Sequence, residues 1–130
     1  MLFEGKPIIP NPGAIWNIVS KYKIKSMFNS PTAVRLVKKL DPNAEYLKKY
    51  DTSTLRTIIL AGEKCDLGTI RWLHKHLPNT MLNDLIGQTE TQLAFCANIF
   101  NLKKFKTIFP TKPGSVTKKF PGNDVDIFNE

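Results

Sequence analysis

The sequence predicts an α/β fold in which a parallel sheet is built from βαβ crossovers. Two observations carry this prediction: short apolar runs occur at three places, and stripes of apolar residues at helical spacing separate them. Of the 130 residues, 42% are hydrophobic and 23% are charged, which suffices for one packed domain. No apolar run approaches the roughly 18 residues of a membrane span, so no membrane-spanning helix is expected.

The first helix, strand and helix follow from local patterns in residues 13–42. Apolar residues at helical spacing predict a helix over residues 13–22, and residues 25–29 form a short strand candidate. Ser30 is a good N-cap, and Pro31 follows at the first helical position, where its missing N–H does no harm. This second helix is expected to end near Asp41-Pro42.

The next strand, helix and strand complete the βαβ pattern. Residues 57–61 form an unbroken apolar run, typical of a strand buried on both faces. Asp66 is placed to cap a helix that ends at Pro78, and residues 80–86 form a third strand candidate. Two βαβ units with right-handed crossovers follow from this order. Beyond residue 92 the pattern weakens, and short strands are expected at 116–120 and 125–128.

The charge and the cysteines restrict the class of protein. A net charge of +8 suits anionic partners such as nucleic acid, anionic lipid or phosphorylated small molecules. The lysines are scattered, however, and a solvated surface explains most of them, so no specific nucleic-acid site is expected. Cys65 and Cys96 fit neither a disulfide framework nor a metal site and are interpreted as reduced thiols. With no signal peptide recognisable, an intracellular protein is expected.

Candidate chemistry lies where two predicted strands end, because ligands bind beyond the carboxyl ends of parallel strands. The two segments are Ala61-Gly62-Glu63-Lys64-Cys65-Asp66 and Asn83-Asp84-Leu85-Ile86-Gly87-Gln88-Thr89-Glu90-Thr91. Glycine allows close approach to the backbone, a threonine hydroxyl donates to phosphate oxygens, and a glutamate carboxylate is a ligand for Mg²⁺. Two interpretations stand: a nucleotide and metal site, or ordinary turn and capping residues.

At these residues the sequence resembles the AMP-forming acyl-CoA synthetases, and within them the acetyl-CoA and propionyl-CoA synthetase branch. Gly62-Glu63 resembles the family's Gly-Glu-Pro nucleotide loop, and Gln88-Thr89-Glu90-Thr91 resembles its Trp-Trp-Gln-Thr-Glu-Thr-Gly signature. The other similar segments are Ser30-Pro31-Thr32-Ala33-Val34-Arg35, Tyr50-Asp51, Leu55-Arg56, Lys112-Pro113-Gly114-Ser115 and Pro121-Gly122. Their order and spacing cover nearly the whole chain.

The resemblance implies an AMP-forming carboxylate–CoA ligase that uses ATP, Mg²⁺ and CoA. A short-chain carboxylate such as acetate or propionate would attack the α-phosphorus of ATP, and the CoA thiol would then displace AMP from the acyl-AMP. The residues implied at the nucleotide are Gly62, Glu63, Lys64, Asp84, Leu85, Ile86, Gly87, Gln88 and Thr89. Thr89 would bond the α-phosphate and Glu90 would hold Mg²⁺, as the two catalytic residues. Ala61 and Gly87 would wall the acyl pocket, and the compartment would be the cytoplasm or the mitochondrial matrix.

Departures from the family's pattern leave alternatives open. Ile86 and Gly87 replace the two tryptophans of the acetyl branch, Lys64 replaces the proline after Gly-Glu, and Gln92 replaces a glycine. The family's phosphate loop, hinge and catalytic lysine do not occur in this sequence, so residues 1–130 are expected to be a partial AMP-binding domain, inactive alone. The alternatives are a catalytically inactive remnant that acts as a structural or assembly subunit with a protein partner, and an unrelated basic nucleic-acid module.

Overall fold

The chain forms a mixed sheet whose first three strands are parallel. The computed structural model describes residues 1–91, 94–97, 100–101, 106–107, 114–116, 118–126 and 128. The main elements are helix α1 (Ala14–Tyr22), strand β1 (Ser26–Asn29), helix α2 (Pro31–Leu40), strand β2 (Thr57–Leu60), helix α3 (Leu67–His76) and strand β3 (Met81–Gly87). Short strands β4 (Ala94–Ala97), β5 (Phe100–Asn101), β6 (Lys106–Thr107) and β7 (Lys118–Lys119) follow.

The predicted βαβ units are confirmed. β1 pairs with β2 and β2 with β3, both in parallel, and α2 and α3 are the two crossovers. Because consecutive right-handed crossovers that advance across a sheet in one direction lie on the same face, α2 and α3 are expected to be neighbours, and they are in contact. The predicted caps are also present: Ser30 accepts from the Ala33 N–H at 3.2 Å and Asp66 from the Thr69 N–H at 2.8 Å.

The sheet continues beyond β3 with two antiparallel strands, of which β7 lies within the strand expected over residues 116–120, whereas β4 was not predicted. Residues 81–84 of β3 pair with β2, whereas residues 85–87 pair with β4, and a register shift lies between Ile86 and Gly87. β4 in turn pairs with β7, giving the order β1-β2-β3-β4-β7. A strand was expected over residues 125–128; Val125, Asp126 and Phe128 have irregular backbone, and residue 127 lies outside the described residues.

The core lies among α1, α2, α3 and β2. Trp16, Val37, Ile58, Leu60 and Leu73 have almost no exposed surface. Only one of the two faces of β2 is fully covered, because Thr57 and Ile59 are half-buried while Ile58 and Leu60 are inaccessible. The expectation of a strand buried on both faces is therefore met in full on one face and only in part on the other.

β1 is the edge of the sheet opposite the antiparallel strands, and its outer side has no partner strand among the described residues. Phe28 on this strand is 68% exposed. An apolar groove of about 530 Å³ runs beside it between the amino-terminal residues and α1. None of the predicted site residues lines this groove. No helix in the described part of the chain is long and apolar enough to cross a membrane.

Candidate functional site

The two predicted site segments lie at the carboxyl edge of the parallel strands, as the sequence indicates. The register pairs Asn29 with the β2 end residue Leu60, and Leu60 with Asp84. The loop of residues 61–66 therefore begins level with Asp84. β3 extends three residues farther, to Gly87, and leads into a 3₁₀ turn at Thr89–Thr91. The site thus lies where β3 changes from a parallel to an antiparallel partner.

The first segment turns sharply at Gly62. This residue has a φ of +94°, a conformation that L side chains rarely adopt, and no atom would lie within 4 Å of a side chain placed there. Ala61 is half-buried, and its N–H reaches the Asn29 carbonyl at 3.4 Å. The backbone at Gly62 is thus open to a close approach by a flat ligand.

The Glu63 carboxylate is held by the first turn of α2. Its Oε1 accepts from the Thr32 N–H at 2.8 Å and from the Thr32 hydroxyl, and its Oε2 forms an ion pair with Arg35. The Thr32 hydroxyl, the Thr32 N–H and the Arg35 charge together lower the pKa of Glu63. We call these contacts among Glu63, Thr32 and Arg35 the Glu63 bridge.

Asp84 is buried where β2 ends. It is 7% exposed and has no hydrogen-bond partner among the described residues. Burial raises the pKa of its carboxyl, and the positive charge of nearby Lys64 partly opposes this increase. Carboxyl groups whose pKa is raised by burial concentrate at functional sites.

The second segment presents exposed side chains. Gly87, Gln88, Thr89 and Glu90 are all exposed. Within the described part of the chain, no cluster of three metal-binding side chains occurs. A single exposed carboxylate fits Mg²⁺ nonetheless, because this ion is commonly bound by one or two carboxylates together with substrate phosphates and water.

The sequence prediction missed three residues that shape the first segment. Thr32 and Arg35 were named only within the family-like segment at the start of α2 and were given no role at the site, although their i, i+3 spacing puts both on the face that meets Glu63. Gly114, with a φ of +78°, lies close to the same loop, since a side chain there would lie 3.9 Å from the Cys65 carbonyl oxygen. Contacts between residues so distant in sequence leave no local signal.

The family to which this sheet and its carboxyl-edge loops belong is shown by comparison with known proteins. Residues 1–130 match the family model described as "AMP-binding enzyme", so the chain belongs to this family. It is 36% identical over 130 residues to the propionate–CoA ligase of Escherichia coli, and 33% identical over 131 residues to the human mitochondrial acyl-CoA synthetase short-chain family member 3. All of this chain is covered, but only 20% and 18% of those relatives.

A solved structure shows the same fold. The crystal structure of the anthranilate CoA ligase AuaEII in complex with anthranoyl-AMP superposes with a TM-score of 0.72 at 21% identity. The superposition covers 93% of this chain and 20% of that one. The chain therefore spans about one fifth of the length of the proteins that it resembles.

Proposed function

We propose that this chain is a segment of a short-chain acyl-CoA synthetase, an AMP-forming carboxylate–CoA ligase that acts through an acyl-AMP. One observation carries the proposal: both family segments, found by resemblance, follow the carboxyl ends of the paired strands β2 and β3, one with a sharp backbone turn at Gly62 and the other with exposed threonine and glutamate side chains. The open edge of β1 and its exposed Phe28 support the view that further chain belongs beside it.

In this proposal the two segments divide the nucleotide between them. Gly62, Glu63 and Lys64 lie along the adenine, and residues 84–88 lead from the adenine to the acyl-phosphate. Thr89 donates to the α-phosphate, and Glu90 holds Mg²⁺, which neutralises the phosphate charge. In-line attack at phosphorus needs positioning and charge neutralisation more than a protein nucleophile. This chain offers such groups.

The test is ATP–pyrophosphate exchange by the full-length product of the gene, with acetate, propionate and butyrate as acceptors. We expect exchange that depends on the carboxylate and falls about 100-fold in Glu90→Gln, on the scale of losing one charge-stabilising group. The 130-residue chain alone should show none, because it lacks the family's phosphate loop and catalytic lysine. Exchange by the isolated chain, or none by the full-length product, would contradict the proposal.

The acyl pocket is proposed to lie between Ala61 and Gly87. The two residues are offset by roughly 7 Å along the strands, and the acetyl branch has a tryptophan where Gly87 stands. Replacing an indole with a hydrogen deepens the pocket, although Ile86 partly refills it. The full-length enzyme should therefore prefer propionate, butyrate or longer acids over acetate.

Gly87→Trp tests the pocket. Each additional buried methylene contributes about 1–3 kcal/mol of discrimination. The substitution should move the ratio of kcat/KM for propionate over acetate toward acetate by 10-fold or more, on the order of one methylene's contribution. Val19→Ala, at a buried position in α1 far along the chain from this edge, serves as a control for general destabilisation. An unchanged ratio would place the acyl group elsewhere.

The second candidate is a remnant that acts as a structural subunit, and the departures Lys64, Ile86 and Gly87 favour it. Sequencing the transcript around this region discriminates the two. In-frame phosphate-loop and hinge motifs favour the ligase, whereas a stop codon directly after residue 130 favours the remnant. For the ligase we propose an intracellular location, in line with the mitochondrial designation of the human relative.

A further inference from the structure

We infer that Arg35 and Thr32 are positioning residues that fix the nucleotide loop through the Glu63 carboxylate, so that the loop's backbone rather than the Glu63 side chain meets the adenine. This inference rests on the proposed function and adds two residues to the site. It also revises the role expected for Glu63, whose side chain is turned toward α2.

Both oxygens of Glu63 are engaged. Oε1 accepts two bonds from Thr32, and Oε2 is paired with the Arg35 guanidinium, which also donates to the Thr32 hydroxyl at 2.8 Å. The Thr32 N–H is one of the free amides at the start of α2, where a negative charge is favourable. A carboxylate bound in this way is fixed in position by charge-assisted bonds.

Arg35 reaches the other end of the loop as well. Its Nη1 lies 3.7 Å from Asp66 Oδ2, and Asp66 caps α3 through the Thr69 N–H. One guanidinium on α2 therefore contacts the carboxylates of Glu63 and Asp66, which lie three residues apart in the loop. Lysine lacks the planar, two-armed geometry for this arrangement, so Arg35→Lys is not a conservative change.

The side of the loop that is free of these contacts is backbone. A side chain at Gly62 would meet no atom within 4 Å, and the Gly62 turn directly precedes the fixed carboxylate. An adenine is flat and is recognised by close approach to peptide groups, which requires a loop of constant shape. The Glu63 bridge holds the loop in one conformation, and its side chains lie away from the backbone surface that would contact the ligand.

The experiment compares Arg35→Gln, Glu63→Gln and the double variant in the full-length product. Each single variant should raise KM for ATP about 10-fold and leave KM for the carboxylate within about 2-fold. Residues in one network are coupled, so the double variant should cost little more than either single one. Lys23→Gln, which breaks the exposed Lys23–Asp51 pair at 2.8 Å elsewhere, is the matched control and should change neither constant.

Labelling of Cys65 reports on the loop directly. This thiol is inaccessible, and burial raises its pKa to about 11, so modification requires the loop to open. The Arg35 charge lowers this pKa, so its removal alone would slow labelling. Peptide-resolved mass spectrometry should instead show labelling accelerated at least 5-fold in Arg35→Gln, and unchanged in Lys23→Gln.

The outcomes separate this inference from the proposed function. If the wild-type product shows no ATP–pyrophosphate exchange but Arg35→Gln still exposes Cys65, the proposed function fails, whereas the inference that the Glu63 bridge fixes the loop stands. The inference is overturned if Cys65 labelling is unchanged in Arg35→Gln. It is also overturned if wild-type exchange is present and Arg35→Gln raises KM for all substrates equally, or if the double variant's effect is the sum of the singles.

Discussion

The two loops that carry the predicted site residues are built in opposite ways. Residues 61–66 are anchored at both ends: they follow the fully buried Leu60, and the Glu63 bridge and the Asp66 cap hold them to α2 and α3. Residues 87–91 follow the exposed Ile86, where β3 has left β2 for an antiparallel partner, and turn through a short 3₁₀ segment. Thr89 and Glu90 extend from it into solvent.

This difference matches the two tasks proposed for the loops. A loop that offers its backbone to a flat base must keep one shape, and neighbouring elements hold that shape. A loop that offers a hydroxyl and a carboxylate to phosphates and Mg²⁺ needs those groups free to engage them. The first loop is therefore expected to contribute to stability, whereas the second contributes mainly to chemistry.

Replacing the residue before each loop with alanine should show the largest difference between the loops, measured as the loss of unfolding free energy. Leu60→Ala removes a fully buried side chain and should cost about 2–5 kcal/mol of unfolding free energy. Ile86 is 46% exposed, so Ile86→Ala should cost less than about 1 kcal/mol. Urea denaturation of the 130-residue chain, followed by the fluorescence of the buried Trp16 and Trp72, measures both. Equal losses would show that the second loop rests on the core as firmly as the first.

The parallel half of the fold could be predicted from sequence because its signals are local. The Ser30 and Asp66 caps, the apolar stripes and the run at residues 57–61 each depend on a few neighbouring residues. The antiparallel pairing could not be predicted, because it joins residues that are distant in sequence: Ile86 pairs with Cys96, and Cys96 pairs with Lys119. The two-residue strands β5 and β6 also carry too little periodicity to be recognised.

The site shows the same division. The segments after β2 and β3 were found because strand ends converge in a parallel sheet, and resemblance gave the roles proposed for their residues. The Glu63 bridge was missed, since Thr32 and Arg35 lie about 30 residues before Glu63 and their sequence reads equally well as a helix start. The raised pKa of Asp84 likewise depends on burial, which residue type alone does not reveal.

An intermediate effect is expected from alanine at Gly62. Its φ of +94° makes any side chain strained, so Gly62→Ala should cost about 1–3 kcal/mol even though the space is open. Gly122 is a matched control, with a φ of +86° and equally open surroundings, far from the site in sequence. Both variants should lose similar stability in urea denaturation, but only Gly62→Ala should raise KM for ATP in the full-length product. A similar rise in Gly122→Ala would refute a special role for the first loop.

The smallest effect concerns Asp84, which lies between the two loops. Burial raises the pKa of the Asp84 carboxyl in the folded protein above its unfolded value of about 4. Protonated Asp84 is therefore favoured by folding, and its contribution to stability is fully present at a pH below the unfolded pKa. That contribution is lost as the pH rises through the folded pKa, because a charged carboxylate must then be buried. Asp84→Asn should therefore raise the melting temperature at pH 7, with the gain shrinking as the pH falls toward 4. The same change should weaken ATP binding. A lower melting temperature at pH 7 would reveal a stabilising partner for the carboxylate.

The most direct test of the account is hydrogen–deuterium exchange of the full-length product with and without the propyl ester of AMP, a stable mimic of an acyl-AMP. If these two loops form the nucleotide site, the backbone amides in residues 61–66 and 84–91 should be protected when the ester binds. Because the Glu63 bridge already holds the first loop, its amides should exchange more slowly than those of residues 87–91 before the ester is added. Protection confined to other regions, such as the groove beside β1, or no protection at all, would contradict the central claim that these two loops form the nucleotide site.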